Sequence, residues 1–357
     1  MTNNRKGGYP ELLRSRSGGE VRNPAEWERY RRPELLALFQ EHIYGRCPFP
    51  VSDSMRYVKG ASGLTAQGCL REEVSLYIGE YPLPVTVFLP VSGKCGKVMV
   101  YLRLANQSET ELPVRMLTEK GYALIQVWTE DIASDSGECF QSGLFRYYPG
   151  KRLPDSCGAI GAWSYGLSRV MDWIETQGER LPARKVMVAG FSRGAKCSLW
   201  TAARDTRFAL CAALHSGTGG AELCRDKRPS GETVADITKA FPYWFCDNFA
   251  KYGGNEELLP TDQHMLLGLI APRGLFLSGG ESDPWADMAS EWRSLQMASP
   301  AYELYHKKPI AFSEDRRTNR LYEGDSVGYY AGAGGHRVTQ AEWNSLLDFA
   351  ERIFAAI

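Results

Sequence analysis

The chain has 357 residues, which suits one large domain, so length alone does not require a second. Lysine plus arginine and aspartate plus glutamate both number 42, giving a formal net charge of zero. Such a chain creates no long-range field that attracts nucleic acid or an anionic membrane, and no apolar run approaches membrane-spanning length. We therefore expect a globular protein without nucleic-acid or membrane partners. A monomer is the expected oligomeric state, although the charge balance does not bear on it.

Residues 1–20 are polar and glycine-rich, which predicts a flexible arm before a single domain over residues 21–357. They lack the apolar core of a secretion signal, so the chain as written is expected in the cytoplasm, or in the periplasm or outside the cell if a leader is missing. The nine cysteines show neither a CxxC pair nor a Cys/His metal spacing, which favours buried, reduced thiols.

The first predicted element is a helix that begins at Asn23-Pro24, an N-cap with a first-turn proline, and reaches about Tyr44 with a kink at Pro33. Short β-branched and aromatic runs separated by turn signals then predict four strands, of which the first two form an antiparallel hairpin. These strands are 73–78, 83–89, 98–104 and 123–128.

Helices and strands alternate in the rest of the chain. The predicted helices are 159–176, 193–203 and 340–354, and the predicted strands are 185–189, 208–214 and 274–278. This alternation predicts a mainly parallel sheet with helices on both faces and reactive loops at the carboxyl ends of its strands. Segments 217–272 and 303–335 lack clear strand periodicity, so we interpret them as long loop insertions that cover the active site.

The strongest local motif is Gly190-Phe191-Ser192-Arg193-Gly194, a GxSxG sequence between a predicted strand and a predicted helix. This context is typical of the nucleophile turn of the α/β-hydrolase fold, because small residues on both sides of the serine allow a strained turn that exposes its hydroxyl. The turn also places the N–H of Arg193 at a helix N-terminus, where it can stabilise an oxyanion. Ser192 is therefore the predicted nucleophile and Arg193 an oxyanion residue.

A serine hydroxyl needs a base, and the chain has five histidines. His336 is the predicted base, because it lies in a glycine-rich loop directly before the last predicted helix, where this fold presents its base. His42 lies before the sheet, His215 ends the strand after the nucleophile helix, His264 is expected in the core and His306 in solvent.

The acid is expected in the loop GGESDPWAD, which follows the predicted strand 274–278. Asp283 is the predicted acid, because the position after that strand normally supplies it. Glu281 is the alternative acid, and Asp287 is a candidate helix cap.

Several longer segments are more specific for one protein family than the GxSxG motif alone. They are GAIGAWSYGLSR, GFSRGAK, FPYWFCDNF, LPTDQHMLLGLIAPR, ESDPWAD and GGHRVT, which run from about Gly158 to Thr339, and the early WERYRRPELLALFQEHIYGRCP. Together they resemble the glucuronoyl esterases of carbohydrate esterase family 15. The resemblance implies hydrolysis of an ester between a glucuronic acid carboxyl group and an alcohol, as in bonds that join glucuronoxylan to lignin.

The resemblance also implies residue roles. In the family a GxSRxxK signature supplies the nucleophile, an arginine that assists the oxyanion and a lysine that binds sugar hydroxyls, and these match Ser192, Arg193 and Lys196. A tryptophan that contacts the sugar matches Trp285, and a glutamate that binds uronate hydroxyls matches Glu232 in PSGETV. The ordinary alternatives are a core position for Trp285, a solvated helix face for Lys196, a helix-terminal charge for Glu232 and a surface ion pair for Arg193.

Two features depart from the family. Some members carry the triad glutamate just after the strand that follows the nucleophile helix, where this chain has His215. Other members take the acid from the later loop, which favours Asp283 here. The second departure is the missing export signal, which implies an imported oligosaccharide substrate or a missing or unconventional leader.

We therefore expect a serine esterase that acts on glucuronoyl esters, as small molecules or oligosaccharides, through a Ser-His-Asp triad and an acyl-enzyme. A second oxyanion donor is expected around Asn106, and neither a metal nor an organic cofactor is needed. An acetylxylan or cinnamoyl esterase on the same triad is an alternative. A carbohydrate-binding protein without catalysis is the alternative of another class.

Overall fold

One mixed sheet forms the centre of the molecule. The structure, a computed structural model, describes residues 8–50, 55–108, 111–229, 231–314 and 316–357. The strands within these residues are β1 (Arg56–Leu64), β2 (Leu70–Ile78), β3 (Tyr81–Leu89), β4 (Lys97–Arg103), β5 (Tyr122–Trp128), β6 (Val186–Phe191), β7 (Leu210–Leu214), β8 (Gly274–Gly280), β9 (Arg320–Glu323) and β10 (Val327–Gly332). Their order across the sheet is β1-β2-β3-β5-β4-β6-β7-β8-β10-β9.

The middle of this sheet is parallel and its edges are antiparallel. β5, β4, β6, β7, β8 and β10 pair in parallel, whereas β1, β2, β3 and β9 pair antiparallel to their neighbours. The α-helices before, between and after these strands are α1 (Pro24–Glu26), α2 (Arg32–Phe39), α3 (Val114–Glu119), α4 (Thr129–Ile132), α5 (Gly143–Tyr147), α6 (Ala159–Glu175), α7 (Arg193–Arg204), α8 (Val234–Ala240), α9 (Gln263–Gly268), α10 (Met288–Glu303) and α11 (Gln340–Ala355). Among the described residues, none of the helices has the length and apolarity that a membrane crossing requires.

The sheet separates two apolar cores. Alternate residues of β4 show this division, since Val98 and Val100 belong to the core that includes Trp163 of α6, while Met99 belongs to the core that includes Trp343 of α11. A strand covered by helices on both faces needs apolar residues at every position, and β4 is nearly continuous in them. The predicted α/β class, with a mainly parallel sheet between helices, is confirmed.

Most predicted elements are present, with differences of detail. β2 and β3 form the predicted antiparallel hairpin. The helix predicted from 24 to 44 contains two π-helical turns, Trp27–Arg31 and Gln40–Tyr44, and its hydrogen-bond pattern changes beside Pro33, which has no N–H to donate. Of the predicted N-terminal arm, residues 1–7 lie outside the described residues, while Leu12 is buried and its carbonyl accepts a 2.8 Å hydrogen bond from Nε of Arg31.

The two segments interpreted as loops need correction. Segment 217–272 contains α8 and α9, and segment 303–335 contains β9 and β10, so neither is loop throughout. β10 is buried at every position, and therefore shows no alternation of apolar and polar residues that a sequence pattern could reveal.

Candidate active site

Four adjacent parallel strands each lead into a residue of the candidate site. β6, β7, β8 and β10 lie side by side and run in the same direction. Ser192, His215, Asp283 and His336 follow their carboxyl ends. Because the carboxyl ends of parallel strands meet at one edge of a sheet, these four side chains converge there.

Ser192 lies in the sharp turn between β6 and α7, with φ of 55° and ψ of −124°. Its N–H donates to the carbonyl of Leu214 at the end of β7, over 2.9 Å. A Cβ atom at Gly190 would lie 2.3 Å from the carbonyl oxygen of Gly194, so the strand and the helix can approach this closely only with glycine at position 190. The GxSxG spacing therefore produces the strained turn that the sequence predicts, and Ser192 in it is half-buried.

A chain of hydrogen bonds joins the predicted nucleophile, base and acid. Oγ of Ser192 lies 3.0 Å from Nε2 of His336, and Nδ1 of His336 lies 2.8 Å from Oδ2 of Asp283. An ionised carboxylate can only accept, so the proton of His336 belongs on Nδ1 and Nε2 is free to accept the serine hydroxyl. This is the order of groups that activation of a serine requires.

Asp283 and Glu281 lie in different environments. Asp283 is buried, whereas Glu281 is exposed. Burial raises the pKa of Asp283, but hydrogen bonds from His215 and His336 outweigh burial and hold the pKa well below its usual range. Oδ1 of Asp283 also accepts the N–H of Trp285 over 2.8 Å. Asp283 is therefore an ionised acceptor in contact with the histidines, and Glu281 has no place in this hydrogen-bonded chain.

His215 contacts the same carboxylate from the other side. Its Nδ1 lies 2.8 Å from Oδ2 of Asp283, and its Nε2 lies 2.8 Å from Oε1 of Glu342 in the first turn of α11. Burial lowers the pKa of His215, but its hydrogen bonds with the two carboxylates outweigh burial and raise the pKa to about 9. The candidate site is thus longer than a triad and continues to Glu342.

The sequence patterns place neither His215 nor Glu342 in the site. The signal for His215 is its position directly after β7, to which the resemblance described above assigns an acid in some family members. The spacing of Thr339 and Glu342 matches a capping box, which the structure contains at the start of α11, but a capping box indicates a helix end and not a functional residue.

The side chain of Arg193 enters an acidic and aromatic cluster beside the serine. Its Nε forms an ion pair with Asp135, and its Nη2 donates to Oδ1 of Asn106 over 3.0 Å. Oδ1 of Asp135 accepts a 2.8 Å hydrogen bond from the indole N–H of Trp244. The structure thus brings together Arg193 and Asn106, the two residues predicted on the oxyanion side.

The three residues predicted to bind sugar occupy different environments. Lys196 is buried and its Nζ donates to the carbonyl of Ser216, so it does not lie on a solvated helix face. Glu232 is half-buried; burial raises its pKa, and the ammonium of Lys196 opposes that shift. Trp285 is 58% exposed beside the acid and is not a core residue.

The remaining three histidines and Asp287 are not part of the hydrogen-bonded chain that joins Ser192 to Glu342. His264 is buried, its Nε2 lies 3.0 Å from the carbonyl oxygen of Pro10, and burial lowers its pKa to about 4. His306 is exposed, as predicted, and Nδ1 of His42 lies 2.8 Å from the hydroxyl of a tyrosine. Asp287 caps α10 through two backbone N–H groups, as its alternative assignment predicts.

One trio of metal-binding residue types occurs within the described ranges, and it coincides with the site. One ring nitrogen each of His215 and His336 and a carboxylate oxygen of Asp283 lie within 4.8 Å of one another. Each nitrogen is 2.8 Å from Oδ2 of Asp283, so hydrogen bonds account for the arrangement.

Sequence comparisons point to one family. A family model described as "Glucuronyl esterase, fungi" matches residues 85–305. Carbohydrate esterase MZ0003, from an unknown prokaryotic organism, is 32% identical over an alignment of 391 positions, which covers 96% of this chain and 88% of that protein. The 4-O-methyl-glucuronoyl methylesterase of Podospora anserina is 27% identical and aligns with 80% of this chain, which spans 58% of its length.

A solved structure gives the same result. The glucuronoyl esterase from Solibacter usitatus is 29% identical and superposes with a TM-score of 0.90, covering 97% of this chain and 98% of that chain. This likeness confirms the α/β-hydrolase fold predicted from the GxSxG turn. The matched family model, the relative at 32% identity and the shared fold show that the chain belongs to the glucuronoyl esterase family of carbohydrate esterases and is a carboxylic ester hydrolase.

Proposed function

We propose that the protein hydrolyses esters of glucuronic or 4-O-methyl-glucuronic acid through Ser192, His336 and Asp283, with an acyl-enzyme intermediate. The observation that carries this proposal is the hydrogen-bonded order of the three side chains at the strand ends, with 3.0 Å between Ser192 Oγ and His336 Nε2. The names of the relatives, such as the methylesterase of Podospora anserina, support the choice of a uronic acid ester.

In the proposed mechanism, Oγ of Ser192 bonds to the ester carbonyl carbon while Nε2 of His336 takes the hydroxyl proton. The bond to the alcohol oxygen then breaks, and His336 returns the proton to the leaving oxygen. Water repeats the sequence on the acyl-enzyme, which releases the uronic acid and restores Ser192. Asp283 keeps the His336 ring in the tautomer that these proton transfers need and stabilises its charged form.

The oxyanion of the tetrahedral intermediate is proposed to lie against Arg193. The N–H of Arg193 is in the first turn of α7, where backbone donors have no partner within the helix. Its guanidinium is 20% exposed beside the serine and supplies a positive charge, with Asn106 next to it. Donors that are already oriented before the reaction stabilise the developing charge without a cost of reorganisation.

The acyl group is proposed to be held by Lys196, Glu232 and Trp285. Lys196 and Glu232 are polar groups in a largely buried setting, where hydrogen bonds to sugar hydroxyls discriminate well between ligands. The exposed indole of Trp285 offers a flat apolar surface to the sugar ring. A uronate ester is neutral, which agrees with a chain of zero net charge.

The decisive experiment measures release of alcohol from benzyl or methyl glucuronate, compared with 4-nitrophenyl acetate and acetylated xylan, for the wild type and Ser192→Ala. The proposal expects turnover of the glucuronates by the wild type and none by the variant. Mass mapping after fluorophosphonate treatment should find the label on Ser192 alone. Activity confined to acetylated xylan would contradict the acyl group that we propose, and full activity of Ser192→Ala would contradict the nucleophile.

A further inference from the structure

A histidine lies between two carboxylates at the end of the candidate site. His215 contacts Asp283 through Nδ1 and Glu342 through Nε2, at 2.8 Å in both cases. The exposed fractions of the three side chains are 1%, 0% and 2%. No water-facing surface is therefore available to either ring nitrogen of His215, and each must be satisfied by its carboxylate.

The protonation of the His215 ring can be deduced from the two carboxylates that it contacts. Oε2 of Glu342 accepts the N–H of Thr339 over 2.6 Å. Burial raises the pKa of Glu342, but hydrogen bonds from His215 and Thr339 outweigh burial and lower the pKa below its usual value. Glu342 and Asp283 are therefore both ionised acceptors. A neutral His215 would direct one nitrogen lone pair at a carboxylate oxygen 2.8 Å away, so both nitrogens need a proton.

We propose that His215 is a positioning residue, a doubly protonated bridge between Asp283 and Glu342 that fixes the triad acid on Nδ1 of His336. This inference rests on the proposed function, because it assigns a role beside the same nucleophile and base. The bridge ties the acid loop after β8 to the first turn of α11, the helix that directly follows the His336 loop. It also leaves the Asp283, His215 and Glu342 group with one net negative charge in place of two.

The other ionisable groups around His215 do not replace its two partners. His336 faces it from the loop before α11, with 5.8 Å between the ring centroids. Glu291 on α10 accepts a 3.1 Å hydrogen bond from the hydroxyl of Ser216, the residue that follows His215 in the chain. Burial raises the pKa of Glu291 to about 7, with further contributions from Glu222, while the charge of His215 opposes the shift. Glu291 thus carries only part of a negative charge near neutral pH.

The first test reads the protonation of the ring without any substrate. In protein labelled with ¹⁵N-histidine, the signal of a ring with both nitrogens protonated should be present at pH 7.5 and should disappear in His215→Gln. His306→Asn, at an exposed histidine, should keep it. A neutral His215 ring at pH 7.5 would overturn the bridge whether or not the protein hydrolyses glucuronates.

The second test separates the bridge from simple packing. His215→Gln leaves two carboxylates without their cation, which favours the charged form of His336. The acidic limb of the kcat/KM profile for benzyl glucuronate should therefore move up by about one pH unit. Adding Glu342→Gln to His215→Gln removes one carboxylate as well, so the limb should return to the wild-type position. Loss of activity with an unmoved limb in His215→Gln would overturn the proposal.

The two hypotheses fail in different ways. If wild-type protein cleaves none of the esters and Ser192 resists the fluorophosphonate, the proposed function fails while the NMR experiment still reports on the bridge. If His215→Gln does not fold, Glu342→Gln alone is informative, because glutamine keeps an oxygen for the capping hydrogen bond. Its His215 ring should then lose its second proton at a pH at least one unit lower than in the wild type, and an unchanged titration would contradict the bridge.

Discussion

Asp135 forms an ion pair with Arg193, the residue that follows the candidate nucleophile in the chain. The carboxylate of Asp135 is only 6% exposed, and its other oxygen accepts the indole N–H of Trp244 over 2.8 Å. The guanidinium is therefore oriented by a fixed acceptor before any substrate arrives. Preorganised charge of this kind is what stabilisation of an oxyanion requires.

The first prediction concerns this ion pair. Asp135→Asn should lower kcat for benzyl glucuronate about tenfold with little change in KM, since Arg193 loses the charge that orients it, while Arg193→Ala should cost about a hundredfold. Steady-state kinetics of both variants and of the double variant would check this. If Asp135 acts through Arg193, the double variant is no slower than Arg193→Ala, whereas fully additive losses would contradict the coupling.

The second prediction concerns the acid. Asp283→Asn should lower kcat about a thousandfold or more, because an amide no longer enforces the reactive tautomer of His336. Glu281→Gln, two residues away and exposed, is the matched control and should stay within about twofold of the wild type. The rates of the two variants with benzyl glucuronate decide which residue is the acid. A larger loss of activity in Glu281→Gln than in Asp283→Asn would assign that role to Glu281.

The third prediction concerns the exposed indole beside the acid. Trp285→Ala should raise KM for glucuronate esters about three- to tenfold, since an aromatic contact contributes on the order of 1 kcal/mol, and should leave 4-nitrophenyl acetate hydrolysis nearly unchanged. Tyr30→Ala removes an aromatic side chain that is similarly exposed, 56% against 58%, in the π-helical turn Trp27–Arg31, and should change neither KM nor acetate hydrolysis. Equal effects of Trp285→Ala on both esters would argue against contact with the sugar.

The fourth prediction concerns stability and pH. Burial raises the pKa of Glu291 to about 7 from an ordinary value of 4.5. Such a group stabilises the fold fully below its ordinary pKa, and this contribution is lost as pH rises through 7. Glu291→Gln imitates the neutral carboxyl, so its free energy of unfolding should equal that of the wild type near pH 4 and exceed it at pH 8.5 by on the order of 1 to 3 kcal/mol. Urea unfolding at the two pH values checks this, and a constant difference would contradict it.

The fold could be predicted where patterns are local. β2, β3 and β4 and the helix α7 follow directly from runs of β-branched residues, turn signals and the GxSxG turn. β1 could not be predicted, because most of its residues are exposed and its register shifts between Lys59 and Ser62, so no alternation is present. β10 could not be predicted for the opposite reason. It is buried on both faces, so its sequence shows no alternation of apolar and polar residues.

The residues of the candidate site could be predicted only where the motif or the chain order of the fold fixes one position. Ser192 follows from its turn, and His336 and Asp283 follow from the chain order that the fold imposes. His215 and Glu342 could not be found in this way, since they are 127 positions apart and meet only because the end of β7 faces the start of α11. The pairing of Arg193 with Asp135 is equally non-local, across 58 positions.

The adjacency of β7 and β8 has a consequence for how such enzymes diverge. Neighbouring strands in a sheet are about 5 Å apart, which is close to the reach of one side chain. An acidic residue at the end of β7 or in the loop after β8 can therefore place its carboxylate at the same point beside the His336 ring. Moving the acid from one of these positions to the other leaves the order of the strands unchanged. Here the loop after β8 holds the candidate acid, Asp283, and the end of β7 holds the histidine that contacts it.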